Sequence, residues 1–65
     1  MKDTAGKDLK VGNRVTDRLD PIREGEILEI YTREYGSYKG VKLARIQWDN
    51  GGFGSGYPGN ELILT

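Results

Sequence analysis

Glycine sets the terms for this chain. Ten of its 65 residues are glycine, and five of those crowd into WDNGGFGSGYPGNEL, residues 48–62. A glycine inside a helix costs roughly 1 kcal/mol relative to alanine. No stretch of ten or more residues places apolar side chains at the i, i+3, i+4, i+7 spacing of an amphipathic helix. Helices are therefore not expected. Short β-rich runs recur instead, each closed by turn residues, which is the pattern of a small all-β barrel or sandwich.

The runs can be placed along a single domain spanning 1–65. Residues 1–8 hold a turn from Asp3 to Gly6, in which the Asp side chain can bond its own backbone two residues on; this segment is expected to be loosely ordered. RVTD (14–17) is a first strand. Asp20-Pro21 then forms a turn, since proline cannot sit in a central strand. GEILEIYTRE (25–34) is the second strand, and its adjacent apolar residues break strict alternation, which predicts a bulge near Leu28. After a loop over 35–40, VKLARIQW (41–48) is the third strand. Ala44, Ile46 and Trp48 alternate to one face, with Arg45 and Gln47 on the other. DNGG predicts a hairpin of type I′, whose two central residues both need φ > 0. FGSGY (53–57), a PGNE turn and LILT complete five strands. Val15, Leu62 and either Ile27 or Leu28 are expected to meet Ala44, Ile46 and Trp48 in the core.

GSGYPG (54–59) also matches the G-x-G-x-x-G pattern of a pyrophosphate cradle. That chemistry needs a following helix whose N-terminus receives the phosphates. Pro58 lies inside the motif and six residues follow it, so hairpin and turn roles are expected for these glycines. The chain has no Cys and no His. Thiolate sites, zinc chemistry and histidine-dependent catalysis are thereby removed. Asp17, Asp20, Glu24, Glu26 and Glu29 are interleaved with Arg18 and Arg23, an arrangement of surface ion pairs rather than paired acid–base carboxylates. No cofactor and no metal are expected. Without a leader or an apolar run of ~20 residues, the chain reads as cytoplasmic, with no membrane partner.

Several stretches carry a family resemblance. LKVGNRV resembles the opening of small SH3-like barrels, a group that includes KOW, Tudor-like and related bacterial or phage modules. EGEILEI is similar to their second strand, ARIQWDNG to their third strand and hairpin, and YPGNELIL to their closing turn and strand. The resemblance spans residues 9–65 and implies a five-stranded SH3-like barrel, a fold that hosts many roles. The G-x-R-V opening and the Y-P-x-x-x-L close also resemble the plasmid-type (type II) dihydrofolate reductases, which would imply an NADPH- and folate-binding enzyme. Their pore triplet Gln-Ile-Tyr falls on Ser55-Gly56-Tyr57, and their pore lysine falls on Asp17. Only Tyr57 matches.

Function is sought first in the charge pattern. Ten basic and ten acidic residues cancel, but residues 33–48 hold Arg33, Lys39, Lys42 and Arg45 against Glu34 alone. In YTREYGSYKGVKLAR (31–45) these cations alternate with Tyr31, Tyr35 and Tyr38. Nucleic-acid sites need that mixture, because cations neutralise phosphates and rings stack on bases. A net charge of zero gives such binding little drive. The expectation is a non-catalytic recognition module that binds a protein through the 35–40 loop and the 50–57 hairpin. Its surface would comprise Tyr35, Tyr38, Lys39, Lys42, Arg45, Phe53 and Tyr57. Weak nucleic-acid binding through 31–45 is the alternative. Trp48 is expected as a core anchor, with a place on the binding face as the other option. Phe53 either seals the barrel or stands exposed. The oligomeric state stays open.

Overall fold

Alternation in RVTD turns Val15 inward and starts β1 (Arg14–Asp17). It is followed by β2 (Glu24–Thr32), β3 (Lys42–Trp48) and β4 (Phe53–Pro58). A short 3₁₀ turn (Gly59–Glu61) then leads into β5 (Leu62–Leu64). The structure, a computed structural model, describes residues 1–37 and 39–65, so the expected site residue Tyr38 lies outside the described residues. All pairings are antiparallel, and the sheet order is β4-β3-β2-β1-β5. The protein is all-β. Among the described residues no helix is long and apolar enough to cross a membrane.

The 3₁₀ turn carries the chain from β4 back to the far side of the sheet, where β5 pairs with β1. Leu62 of β5 nevertheless shares one core cluster with Ala44, Ile46 and Trp48 of β3, together with Leu9, Val15 and Ile27. In a flat sheet these strands would stand three spacings, or ~14 Å, apart. The sheet therefore bends around its inner face. Two register irregularities help it do so. One falls between Ile27 and Glu29, with Leu28 as the extra residue, as the sequence predicts. The other, opposite Arg45, sets Ser55 and Gly56 against one residue of β3. Bulges of this kind sharpen local twist. Leu28 is consequently exposed, and Ile27 takes the core position.

Gly25 lies opposite Trp48 for a steric reason. A Cβ there would come within 2.5 Å of the Gln47 carbonyl oxygen and 2.9 Å of Trp48 Cε3. Its absence lets the indole lie against β2. The Trp48 ring is 1% exposed. Tyr57 meets it edge-on at 5.5 Å, and the Arg23 guanidinium sits 4.3 Å from its centroid. The indole Nε1–H finds no acceptor among the described residues.

One expectation needs correction. The β3–β4 hairpin is not type I′: among the described residues only glycines have positive φ, and within the turn Gly51 alone is left-handed, at +95°. Gly51 N–H donates to the Trp48 carbonyl at 3.0 Å and Trp48 N–H to the Gly52 carbonyl at 2.8 Å. This is the three-residue hairpin, in which Asp49 and Asn50 keep negative φ and one glycine reverses the chain. The N-terminal segment is tied to the sheet by hydrogen bonds. Asp3 Oδ1 accepts from Ala5 N–H at 2.9 Å and Lys7 N–H at 2.8 Å, and Oδ2 accepts from Leu64 N–H at 2.9 Å. These donors, that of Leu64 foremost, hold the Asp3 carboxyl below its usual range. Leu9 reaches the core behind it.

Candidate functional site

The pairing registers sort the side chains of β2, β3 and β4 into rows. Ile27–Ile46–Gly54 and Ile30–Ala44–Tyr57 face the core. Alternating with them, on the outer face, run Glu26–Gln47–Phe53, then Glu29 beside Arg45, then Tyr31–Leu43–Pro58. Leu43 is buried on this outer side and lies outside the main core cluster. The Tyr31 hydroxyl reaches across β3 and accepts from Gly56 N–H at 2.9 Å. Tyr31 lines one of two depressions, and Gly56 follows Ser55, which lines the other. One is lined by Arg45, Phe53, Gly54 and Ser55, and the other by Tyr31, Thr32, Arg33, Glu34 and Tyr35.

Two aromatic rings stand out here, Tyr35 at 74% and Phe53 at 70% exposure. Of the two options for Phe53, exposure is the one realised. The cations beside these rings are already engaged. Arg45 pairs with Glu29 at 3.7 Å. Arg33 places its guanidinium 5.6 Å from the Tyr35 ring centroid and donates from Nε to the Tyr35 carbonyl at 3.2 Å. Register sets Arg45 on this face with Glu26 and Glu29, and Arg33 and Glu34 both line the depression beside Tyr31. The basic block of residues 33–48 therefore does not become a basic face. Register brings the two β2 glutamates beside it.

The expected site residues divide accordingly. Arg45 and Phe53 share the outer face, and Tyr35 lines the depression beside Tyr31. Lys39 lies in the β2–β3 loop and is exposed. Lys42 is exposed but alternates to the side opposite Arg45. Tyr57, expected on the surface, is half-buried against Trp48 and packs on the core. The 35–40 loop and the DNGG turn lie at opposite ends of β3, ~20 Å apart for a strand of this length, and β4, the returning strand of the 50–57 hairpin, runs back between them. Sequence reasoning missed Glu26 and Glu29 as members of this face, and it left Tyr31 out of the site. Alternation from the buried Ile27 identifies Glu26, but the bulge at Leu28 shifts the phase for the rest.

A second concavity lies at the other end of the sheet, lined by Asp20, Ile22, Arg23, Glu24, Trp48, Asp49 and Asn50. Ile22 is 90% exposed beside it. Three of its charged residues, Arg23, Glu24 and Asp49, are held in ion pairs. Arg14 donates to Glu24 at 3.1 Å and also to Asp49, which raises the Arg14 guanidinium and holds the Asp49 carboxyl below its usual range. Arg23 pairs with Asp17 at 3.4 Å. No group of three or more potential metal-ligating side chains converges among the described residues. GSGYPG spans β4 and the 3₁₀ turn, with no α-helix after it. Comparison with known protein families, curated proteins and solved structures finds no match for this chain.

Proposed function

We propose that the chain is an SH3-like barrel that works as a small non-catalytic recognition module for a protein partner. The two bulges and the shared core of β3 and β5 support the barrel reading, while the sheet itself stays open, with β4 and β5 as its edges, unpaired with each other among the described residues. One observation carries the functional reading: Tyr35 and Phe53 are exposed beside arginines that are already engaged, Arg45 by Glu29 and Arg33 by the Tyr35 ring and carbonyl. Exposed aromatic rings are the side chains that most often dominate protein–protein binding energy. Arginines held by glutamate and by a neighbouring ring have less to offer a phosphate backbone. The binding surface is thus the outer face of β2–β4, from Tyr35 through Tyr31 and Arg45 to Phe53.

Weak nucleic-acid binding is the second reading, favoured by Lys39 and Lys42, which make no ion pair among the described residues. The two readings separate in one experiment. The isotope-labelled chain is titrated with single- and double-stranded DNA and RNA at low salt, and affinity capture from cell extract is run in parallel with wild type, Tyr35→Ala/Phe53→Ala and Lys39→Glu/Lys42→Glu. The protein reading expects no nucleic-acid shifts and a partner lost only with the aromatic pair. Saturable nucleic-acid shifts abolished by the lysine pair would overturn it. Each phosphate contact would then steepen log K against log salt by nearly one unit.

A further inference from the structure

The two edges of the sheet are treated differently. At the β5 edge, the Leu62 carbonyl accepts from Thr4 N–H at 3.1 Å, and Leu64 N–H donates to Asp3 Oδ2 at 2.9 Å. The N-terminal segment thus closes that edge. At the β4 edge no main-chain partner takes the outward groups among the described residues. Trp48 N–H donates to the Gly52 carbonyl, and antiparallel bonding alternates. Gly54, opposite Ile46, therefore bonds inward, while Phe53 and Ser55 turn their N–H and C=O groups away from β3. Open edges are ordinarily blunted by charge, lysine above all. Here no charged residue stands between Asp49 and Glu61, and Phe53 and Ser55 are both exposed.

We propose that a second copy of this chain adds to the sheet at β4, in antiparallel two-fold pairing centred on Gly54. Phe53 of each copy exchanges both main-chain hydrogen bonds with Ser55 of the other. A two-fold contact must be complementary to itself, and an uncharged segment has nothing to repel its own image. Gly54 meets its symmetry mate as a non-hydrogen-bonded pair, where Cα atoms approach to about 4.5 Å. The bulge at Ser55–Gly56 and then Pro58, which has no N–H, end the pairing. The contact is short, so the dimer forms in a concentration-dependent way. It uses the main chain of the edge rather than the aromatic face, and it stands or falls separately from partner recognition.

Sedimentation velocity from micromolar to millimolar protein, with amide hydrogen exchange at both extremes, tests this. The expected mass shifts from monomer toward dimer, and the Phe53 and Ser55 amides gain protection only at the high end. Ser55→Pro deletes an outward donor that the chain itself does not use. Ser55→Lys sets like charges side by side across the two-fold axis. Both variants are expected to stay monomeric at every concentration with unchanged circular dichroism, and Ser55→Lys alone carries the comparison if Ser55→Pro unfolds. A wild type that stays monomeric to millimolar concentration overturns the proposal. A dimer that survives Ser55→Lys, or that protects amides away from β4, does the same.

Discussion

Trp48 allows the sharpest test of how this core is held. Replacing it with alanine removes the largest fully buried side chain, together with its edge contact to Tyr57 and the platform under Arg23. Truncating a buried aromatic to alanine costs about 3–5 kcal/mol. A core of this size rarely supplies more than about 3–5 kcal/mol in total, so Trp48→Ala should be largely unfolded in buffer. Trp48→Phe behaves differently. It loses part of the ring's packing, but it also removes an indole N–H that is buried without an acceptor. An unsatisfied buried donor costs about 1–3 kcal/mol, which offsets most of the packing lost. Trp48→Phe should therefore stay folded, within about 1 kcal/mol of wild type. Urea unfolding followed by far-ultraviolet circular dichroism measures both variants, because the substitutions delete the fluorophore. The reasoning fails if Trp48→Phe is as damaging as Trp48→Ala, or if Trp48→Ala gives a well-dispersed amide spectrum.

Three further outcomes are expected. Gly51→Val should destabilise the hairpin by about 1–2 kcal/mol, since a left-handed residue with a Cβ costs that much; Asn50→Ala, at negative φ, should cost less, and melting curves of the two compare them directly. Asp3, Asp8 and Asp49 all have carboxyls held below the ordinary value of 3.8, by backbone donors to Asp3, by Lys2 at Asp8 and by Arg14 at Asp49. A lowered folded-state pKa contributes stability that is complete above 3.8 and is lost as the pH falls from there through the folded value; Tm should accordingly be flat near neutrality and drop below about pH 4, and Asp3→Asn should flatten that drop. Tyr35→Ala and Phe53→Ala should change stability by no more than about 0.5 kcal/mol, because both rings are exposed. A large loss of Tm in either variant would place its ring in the fold rather than on a binding face.

Much of the fold was legible in the chain because it rests on local properties. Asp3 and Gly6 mark a turn, Asp20-Pro21 another, and Asn50-Gly51 a hairpin, since each restricts φ and ψ within a few residues. Alternation placed Ala44, Ile46 and Trp48 on one face, and the break in alternation at Ile27-Leu28 announced the bulge. The remainder depended on which strands become neighbours. Whether Asn50 or only Gly51 turns left-handed follows from how Trp48 pairs with Gly52. The basic block around Arg45 lost its character because β2 carries Glu26 and Glu29 to its side, in a register that no local pattern specifies. Tyr57 left the surface because the bulge at Ser55–Gly56 turned it onto Trp48. Asp3, which alone predicts only a turn, meets the Leu64 amide 61 residues away and closes the β5 edge. Residue-by-residue preferences are written in single stretches of chain, whereas charge neighbourhoods and open edges are properties of pairs of strands, and those exist only once the sheet is assembled.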